Sequence, residues 1–322
     1  MNIRYPRVVV ALLPLLITCA AVPAADVPTG IYRAEEIAAS PKMTASGVVW
    51  WKDRLIVSDR GGKRLMSFTP PDKFETFKEL KNPVGVAIDI NGDLIVSEKD
   101  VPNVPNHLVR IKPDGKTAEV VSEDVGGPHF LTVHKSGTIF WSGFPDCGTR
   151  GLKPGGKVEI HTPRIGHTYG IGLSPKQDWL YVSSKLPNAD RRAVWRFAVQ
   201  ADGSLGKGEE FLRTIDLEPK LEGLPPAKDG SKNLVGWIGR LQGLAVDSLG
   251  NIYFGGAESH TSGEAIAVVS PDGKKVIAMI LDVPRNISCL AFGGADGKTL
   301  YITGAGEYRL FQVKLPVSGF NK

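Results

Sequence analysis

One pattern of apolar and polar positions recurs six times along the chain. A small residue opens an apolar run, a polar turn rich in Gly or Asp follows, and a second apolar run carrying aromatics closes the unit. The copies are Gly47–Ser58, Gly85–Ser97, Phe130–Ser142, Gly170–Ser183, Gly243–Gly255 and Leu290–Thr303. Runs this short, with alternation of period two and turn residues between them, predict β-hairpins rather than helices. After most copies comes a second pair of runs. His107–Ile111 and Thr117–Val121 flank Pro113-Asp-Gly115, Ala193–Val199 and Glu209–Leu212 flank Asp202-Gly203, and Ala265–Val269 and Lys275–Ile280 flank Asp272-Gly273. Asp-Gly supplies the positive φ that a tight hairpin turn needs.

Four strands per unit and six units predict an all-β chain folded as a six-bladed β-propeller. No long amphipathic helix interrupts the pattern. Only the interval between the openings at 170 and 243 is long. Its excess lies at about 216–238, a Pro/Gly/Lys-rich insertion between blades four and five that reads as a lid or as a disordered excursion. Trp237 favours an ordered flap over the central mouth. The run from Gly30 to Ala38 is expected to supply the outer strand that closes the last blade.

The first residues differ in kind. Arg4 and Arg7 precede an apolar stretch, Val8–Ala21, and Val22-Pro-Ala24 offers small residues for cleavage. This predicts a signal peptide over 1–24 and one domain over 25–322, hence an exported protein, periplasmic or extracellular. Cys19 lies in a weak lipoprotein-box match. Removing 1–24 takes two of the 39 bases and none of the 34 acids, so 37 − 34 leaves a charge of +3. That mild value, without a basic tract, argues against nucleic acid as a partner. The apolar stretch is too short for a membrane span. Oligomeric state is open. Cys147 and Cys289 remain; they are candidates for pairing, although Cys289 within a strand reads better as a buried thiol.

In a ring of blades, equivalent positions converge on one axis. One set precedes the inner strands: Ser46, Val84, His129, Tyr169, Gln242 and Ser288. A second set follows the second strand, because an antiparallel hairpin returns to its starting end: Asp59-Arg60, Glu98-Lys99, Ser142, Ser184-Lys185, Glu258 with His260, and Gly304. The candidates for catalysis are His129, a base near neutral pH or a ligand; Tyr169, a proton donor or stacking ring; and the carboxylates Glu98 and Asp59, as bases. Arg240, Gln242, His167, Ser46 and Glu258 are candidates for holding substrate, Arg240 by a bidentate grip on a carboxylate.

Cys289–Thr303, Arg192–Gly206 and Gly243–Tyr253 resemble the last, fourth and fifth blades of the regucalcin, gluconolactonase and luciferin-regenerating-enzyme family. The resemblance implies hydrolysis of a small sugar-derived lactone or ester in the central channel and one divalent cation there. It also implies metal ligands just before certain inner strands, in the patterns Glu-Gly-Pro, Asn-Asp, Asn-Gly and Asp-Gly. Here those positions read Ser46-Gly47, His129-Phe130, Tyr169-Gly170 and Gln242-Gly243, so the oxygen-rich ligands are replaced. Neutral Ser, Tyr and Gln oxygens suit a hard cation poorly, and which metal, if any, stays open. Two other readings stand beside the hydrolase: a non-catalytic propeller binding a small polar ligand or a protein, and a lyase or isomerase moving protons through His129 and Tyr169.

Overall fold

The computed structural model describes residues 27–39, 44–69, 73–100, 102–123, 125–143, 148–161, 165–185, 192–239, 241–256, 265–304 and 309–320. Six sheets surround one axis, as the repeat predicts. Their inner strands are Ala45–Trp51, Pro83–Ile88, Pro128–Val133, His167–Leu173, Gly243–Val246 and Ile287–Gly293. Each inner strand touches the next, and the sixth touches the first, so the ring is closed. In blades one to four the four strands run antiparallel in chain order from the axis outward, and the inner strands of blades five and six follow the same order. At the expected Asp-Gly turns, Gly115, Gly203 and Gly273 take φ of +68°, +80° and +74°.

The N-terminal run divides its work. Glu35–Ala39 pairs antiparallel with Arg309–Lys314 and completes the sixth blade, as expected. Gly30–Arg33 instead adds a fifth strand to blade five, parallel to Val276–Leu281. One short segment therefore links two neighbouring blades, joining chain positions about 250 residues apart, which no local pattern announces.

The insertion is ordered and packs inward. A 3-10 turn at Thr214–Asp216 and a four-residue helix at Val235–Ile238 bracket it. Leu217, Leu234 and Ile238 are buried in the apolar cluster shared by blades four and five, with Leu221, Leu224 and Trp237 packed against it. The Trp237 indole N–H donates to the Pro225 carbonyl (3.1 Å). The segment packs against the apolar cluster shared by two blades, and Trp237 takes part in that packing. At the far end Gly319 bridges to Asp247 and brings Phe320 against apolar clusters of blades three to five.

A recurrent device joins the blades near the mouth. Five of the six inner strands carry a register shift close to their first residues, a bulge that re-aims the side chains there. In blade two the Ser97 hydroxyl accepts from Gly85 N (2.8 Å) and donates to the His129 carbonyl of blade three (2.8 Å). Ser183 links Gly170 N to the Leu241 carbonyl (2.8 and 3.0 Å), and Thr303 links Cys289 N to the Ser46 carbonyl (3.2 and 2.7 Å). Glycine allows the approach. A Cβ on Gly85 would stand 2.2 Å from the His129 carbonyl oxygen, and one on Gly170 would stand 2.5 Å from that of Gln242.

Gly85→Ala is therefore expected to destabilise the fold by about 1–3 kcal/mol through overpacking. Gly206→Ala, whose Cβ would meet nothing nearer than 3.5 Å, should stay within about 0.5 kcal/mol of the parent. Urea unfolding of both variants measures the contrast.

Candidate functional site

The bulges place the first candidate set at one end of the ring. His129 is the second residue of its strand and Tyr169 the third of the next blade's. Their rings meet edge to face at 5.6 Å and 88°, and Phe130 presses on the imidazole from another side at 4.3 Å. Tyr169 and Ser46 are buried, while Gln242 and His167 are half-buried. His167 lies directly across the strand pair from Lys185. The Ser46 carbonyl is held by the neighbouring blade and Gln242 follows the similarly held Leu241, so all four sit at the mouth end, though only His129 and Tyr169 share a ring contact. Arg240, Glu258 and His260 lie outside the described residues, as do Cys19, Cys147 and the segment expected to be a signal peptide.

The carboxylates expected to act as bases are committed elsewhere. Asp59 is fully buried; its Oδ1 accepts from Thr44 N (2.8 Å) and Gly62 N (2.9 Å), and its Oδ2 from Arg64 Nε (3.0 Å). Glu98 Oε1 accepts from Lys81 N and Asn82 N (2.5 and 3.0 Å), and Oε2 contacts His107 Nε2 at 3.0 Å. These bonds hold loops in place, so in the structure both acids anchor backbone.

What the anchors hold is the neighbouring positive charge. Asn82, fixed by Glu98, donates through its side-chain amide to the Lys99 carbonyl and accepts from Arg60 Nε (3.1 Å). Lys99 is only 4% exposed, unusual for a lysine. Asp100, on the exposed side, contacts Arg60 at 3.0 Å and Lys99 at 3.8 Å. Arg150 and Arg192 are also buried near this end, the former beside Gly143. The sequence analysis placed Arg60, Lys99 and Lys185 at this end without giving them a role. The signal was present in the repeated endings Ser58-Asp59-Arg60, Ser97-Glu98-Lys99 and Ser183-Ser184-Lys185, each placing a base two residues after a hydroxyl at the end of the second strand.

The field acts on His129. Burial is the largest cause lowering its pKa, and the charges of Lys99 and Arg60 add to it, taking it from 6.5 to about 3. The residue as a whole keeps some exposure, yet its Nδ1 is sealed from solvent and has no hydrogen-bond partner. The imidazole is neutral at neutral pH and weakly basic, in contrast to the base near neutrality expected from sequence. Cys289 is a free thiol, pushed up to about 11 by burial, as an inert packed cysteine should be.

The divalent cation implied by the family resemblance would need oxygen donors at the mouth. Among the described residues no group of three or more His, Cys, Asp or Glu can hold a metal. The mouth instead combines neutral oxygens, a neutral imidazole and protein cations, and a hard dication wants several oxygens with carboxylates among them. The described residues do not fit it.

Acid should expose the cost of the sealed imidazole. An unfolded histidine binds its proton near pH 6.5, whereas folded His129 waits until about pH 3. The unfolded chain thus holds more protons in between, and stability from this group is full above that upper value and lost as pH falls through the window. The slope is at most about 1.4 kcal/mol per pH unit. His129→Gln, which cannot titrate, should lose less stability between about pH 7 and about pH 4.5 than the parent does. Urea midpoints at the two pH values measure it.

Three likenesses accompany this geometry. A curated gluconolactonase of Zymomonas mobilis is 22% identical over 308 residues, covering 84% of this chain and 78% of its own. The structure of a gluconolactonase from Xanthomonas campestris matches with a TM-score of 0.66 at 19% identity, over 90% of this chain and 95% of that one. A calcium-binding regucalcin from Agrobacterium tumefaciens gives a TM-score of 0.67 at 16% identity, over 90% and 97%. At these identities the structural matches establish the propeller. No helix among the described residues is long and apolar enough to cross a membrane. The model of the SMP-30/Gluconolactonase/LRE-like region matches residues 44–306, and the chain belongs to that family, whose gluconolactonases support a lactonase-like function.

Proposed function

We propose that this protein is an exported hydrolase, a carboxylic ester hydrolase in chemical class, that opens a small sugar-derived lactone at the mouth of the channel without a resident metal. The observation that carries the reading is a buried, neutral imidazole, His129, on which the positive charges of Lys99 and Arg60 act. Fixed positive charge of this kind stabilises the oxyanion that forms when water adds to a lactone carbonyl. A low-dielectric setting strengthens the effect.

The reaction consumes one water. Its oxygen bonds to the carbonyl carbon, the ring C–O bond breaks, and a water proton ends on the leaving oxygen as a hydroxyl. The product is a hydroxy acid that ionises and releases one proton at neutral pH. In this scheme His129 orients the attacking water, and its low basicity suits orientation better than full proton abstraction. Tyr169, edge-on, keeps the imidazole from turning. Gln242, Ser46 and His167 supply polar atoms for sugar hydroxyls. Export rests on the charged and apolar N-terminal segment.

The same weak basicity, together with two carboxylates tied into loops, also favours a second reading, a propeller that binds a polar ligand without turning it over. A panel of aldonolactones followed by proton release separates the two. Under the hydrolase reading, turnover survives treatment with a chelator, and His129→Ala lowers kcat/KM by about 10- to 100-fold with its circular dichroism intact. Absence of turnover across the panel, with ligand binding retained, would establish the binding reading instead.

A further inference from the structure

The ring departs from its own repeat at one level, just inside the mouth. The stapling hydroxyls mark equivalent positions there: the backbone N–H groups of Gly85, Phe130, Gly170 and Cys289 each donate to a hydroxyl on the second strand of their own blade. Gly47 and Gly243 take the same place in blades one and five, where an added Cβ would stand 2.7 Å from the Val84 carbonyl oxygen and 2.9 Å from Leu290. From blade one to blade six the level therefore reads Gly, Gly, Phe, Gly, Gly, Cys. A glycine there lets one strand press on the next. Phe130 cannot, and its staple differs accordingly: Ser142 accepts from Phe130 N (3.2 Å) and donates back to the Phe130 carbonyl (3.3 Å), both within blade three.

Blades three and six lie opposite each other in a ring of six, so Phe130 and Cys289 face one another across the axis. The four glycines put no side chain between them. Cys289 packs against the apolar cluster of blades one and six, as its place requires, and also against the cluster of blades three and four. Phe130 is the member of that second cluster at the level of Cys289. It is only 5% exposed although its strand lines the axis, and it presses on the His129 imidazole at 4.3 Å. Two residues further from the mouth the inner strands carry Val49, Ala87, Thr132, Gly172, Ala245 and Ala291. That level is small and mostly apolar.

We propose that Phe130 spans the axis to Cys289 and floors the mouth, so that it sets the depth of the site and the length of substituent a ligand can carry. Above the floor lie the polar atoms of His129, Tyr169 and Gln242. Below it the wall is small and apolar, so removing the ring joins the polar mouth to a slot suited to an alkyl chain. With Phe130 in place a compact lactone fits and one with an alkyl tail meets a packed wall, where added methylenes force costly shifts. The choice of a lactone rests on the lactonase reading; the floor rests on packing.

Labelling of Cys289 by N-ethylmaleimide in the full chain, read by peptide mass mapping, tests the floor without turnover. Burial holds this thiol up at about 11, and its reactivity follows thiolate content and access. Phe130→Ala is expected to label at least about tenfold faster than the parent, and Phe130→Leu about threefold faster. Leu180→Ala, buried in the same cluster but on the second strand of blade four, controls for general loosening and should stay within about twofold of the parent. Turnover tests the selection: the parent should prefer δ-valerolactone over δ-decalactone, which adds a pentyl tail, by at least about tenfold in kcat/KM, and Phe130→Ala should cut that ratio below about threefold through a lower KM for the tailed lactone. Labelling of Phe130→Ala no faster than the parent, or a rise matched by Leu180→Ala, would overturn the proposal; if Phe130→Ala does not fold, Phe130→Leu is held to the same criterion. A lactone preference untouched by either substitution would overturn the role in selection. If labelling responds as expected and no lactone turns over, the floor stands and the lactonase reading falls. If lactones turn over and labelling does not respond, the reverse holds.

Discussion

The close approach of one inner strand to the next is the constraint on which the molecule depends. Six blades close a ring only if neighbouring backbones nearly touch at the axis, and there a side chain on every residue would not fit. Gly47, Gly85 and Gly170 meet this by offering no Cβ, each facing a carbonyl of the following blade. The approach would leave carbonyls and amides unpaired at the bulges, which costs free energy in a dry interior. Ser97, Ser183 and Thr303 answer that need with single hydroxyls, each accepting from its own blade and donating to the next. The carbonyls they hold belong to His129, Leu241 and Ser46. Closure of the ring and placement of the mouth residues are thus one arrangement.

Electrostatics at the mouth follow from that frame. The second strand of each blade ends beside the inner strand's first residues, so the residues that follow its last serine or threonine stand at the rim. In blades one and two an acid comes first and turns into the loops, and a base comes next. Asp59 and Glu98 stabilise loop backbones by accepting two amide hydrogen bonds each. Lys99 and Arg60 then set the local potential, which together with burial holds His129 neutral.

The pattern of apolar runs and Asp-Gly turns was enough to count blades and strands, because strand alternation and turn geometry are local properties. The hairpins about Gly115, Gly203 and Gly273 could be placed from a few residues each. The family likeness could be read from the last three blades, and the positions before the inner strands identified His129 and Tyr169 as neighbours at one end. The split of the N-terminal run was not legible. Glu35–Ala39 and Gly30–Arg33 choose partners some 250 positions away, and nothing in five residues of strand says which distant edge is open. The packing partners of Trp237 were hidden for a similar reason: an aromatic in a long insertion looks the same whatever it packs against.

Sequence by itself determined the all-β propeller, its six units, and the residue types that occupy the mouth, since repetition of a local pattern needs no distant information. Tertiary structure decided what those residue types do. An Asp-Arg or Glu-Lys pair reads identically whether the acid or the base reaches the site, and only the amides around Asp59 and Glu98 show that the acids are taken. His129 likewise carries no mark of its burial in the chain; its weak basicity comes from Phe130, Tyr169, Lys99 and Arg60 arriving around it. Charge acts through space, and the distances that set its effect exist only after the ring has closed.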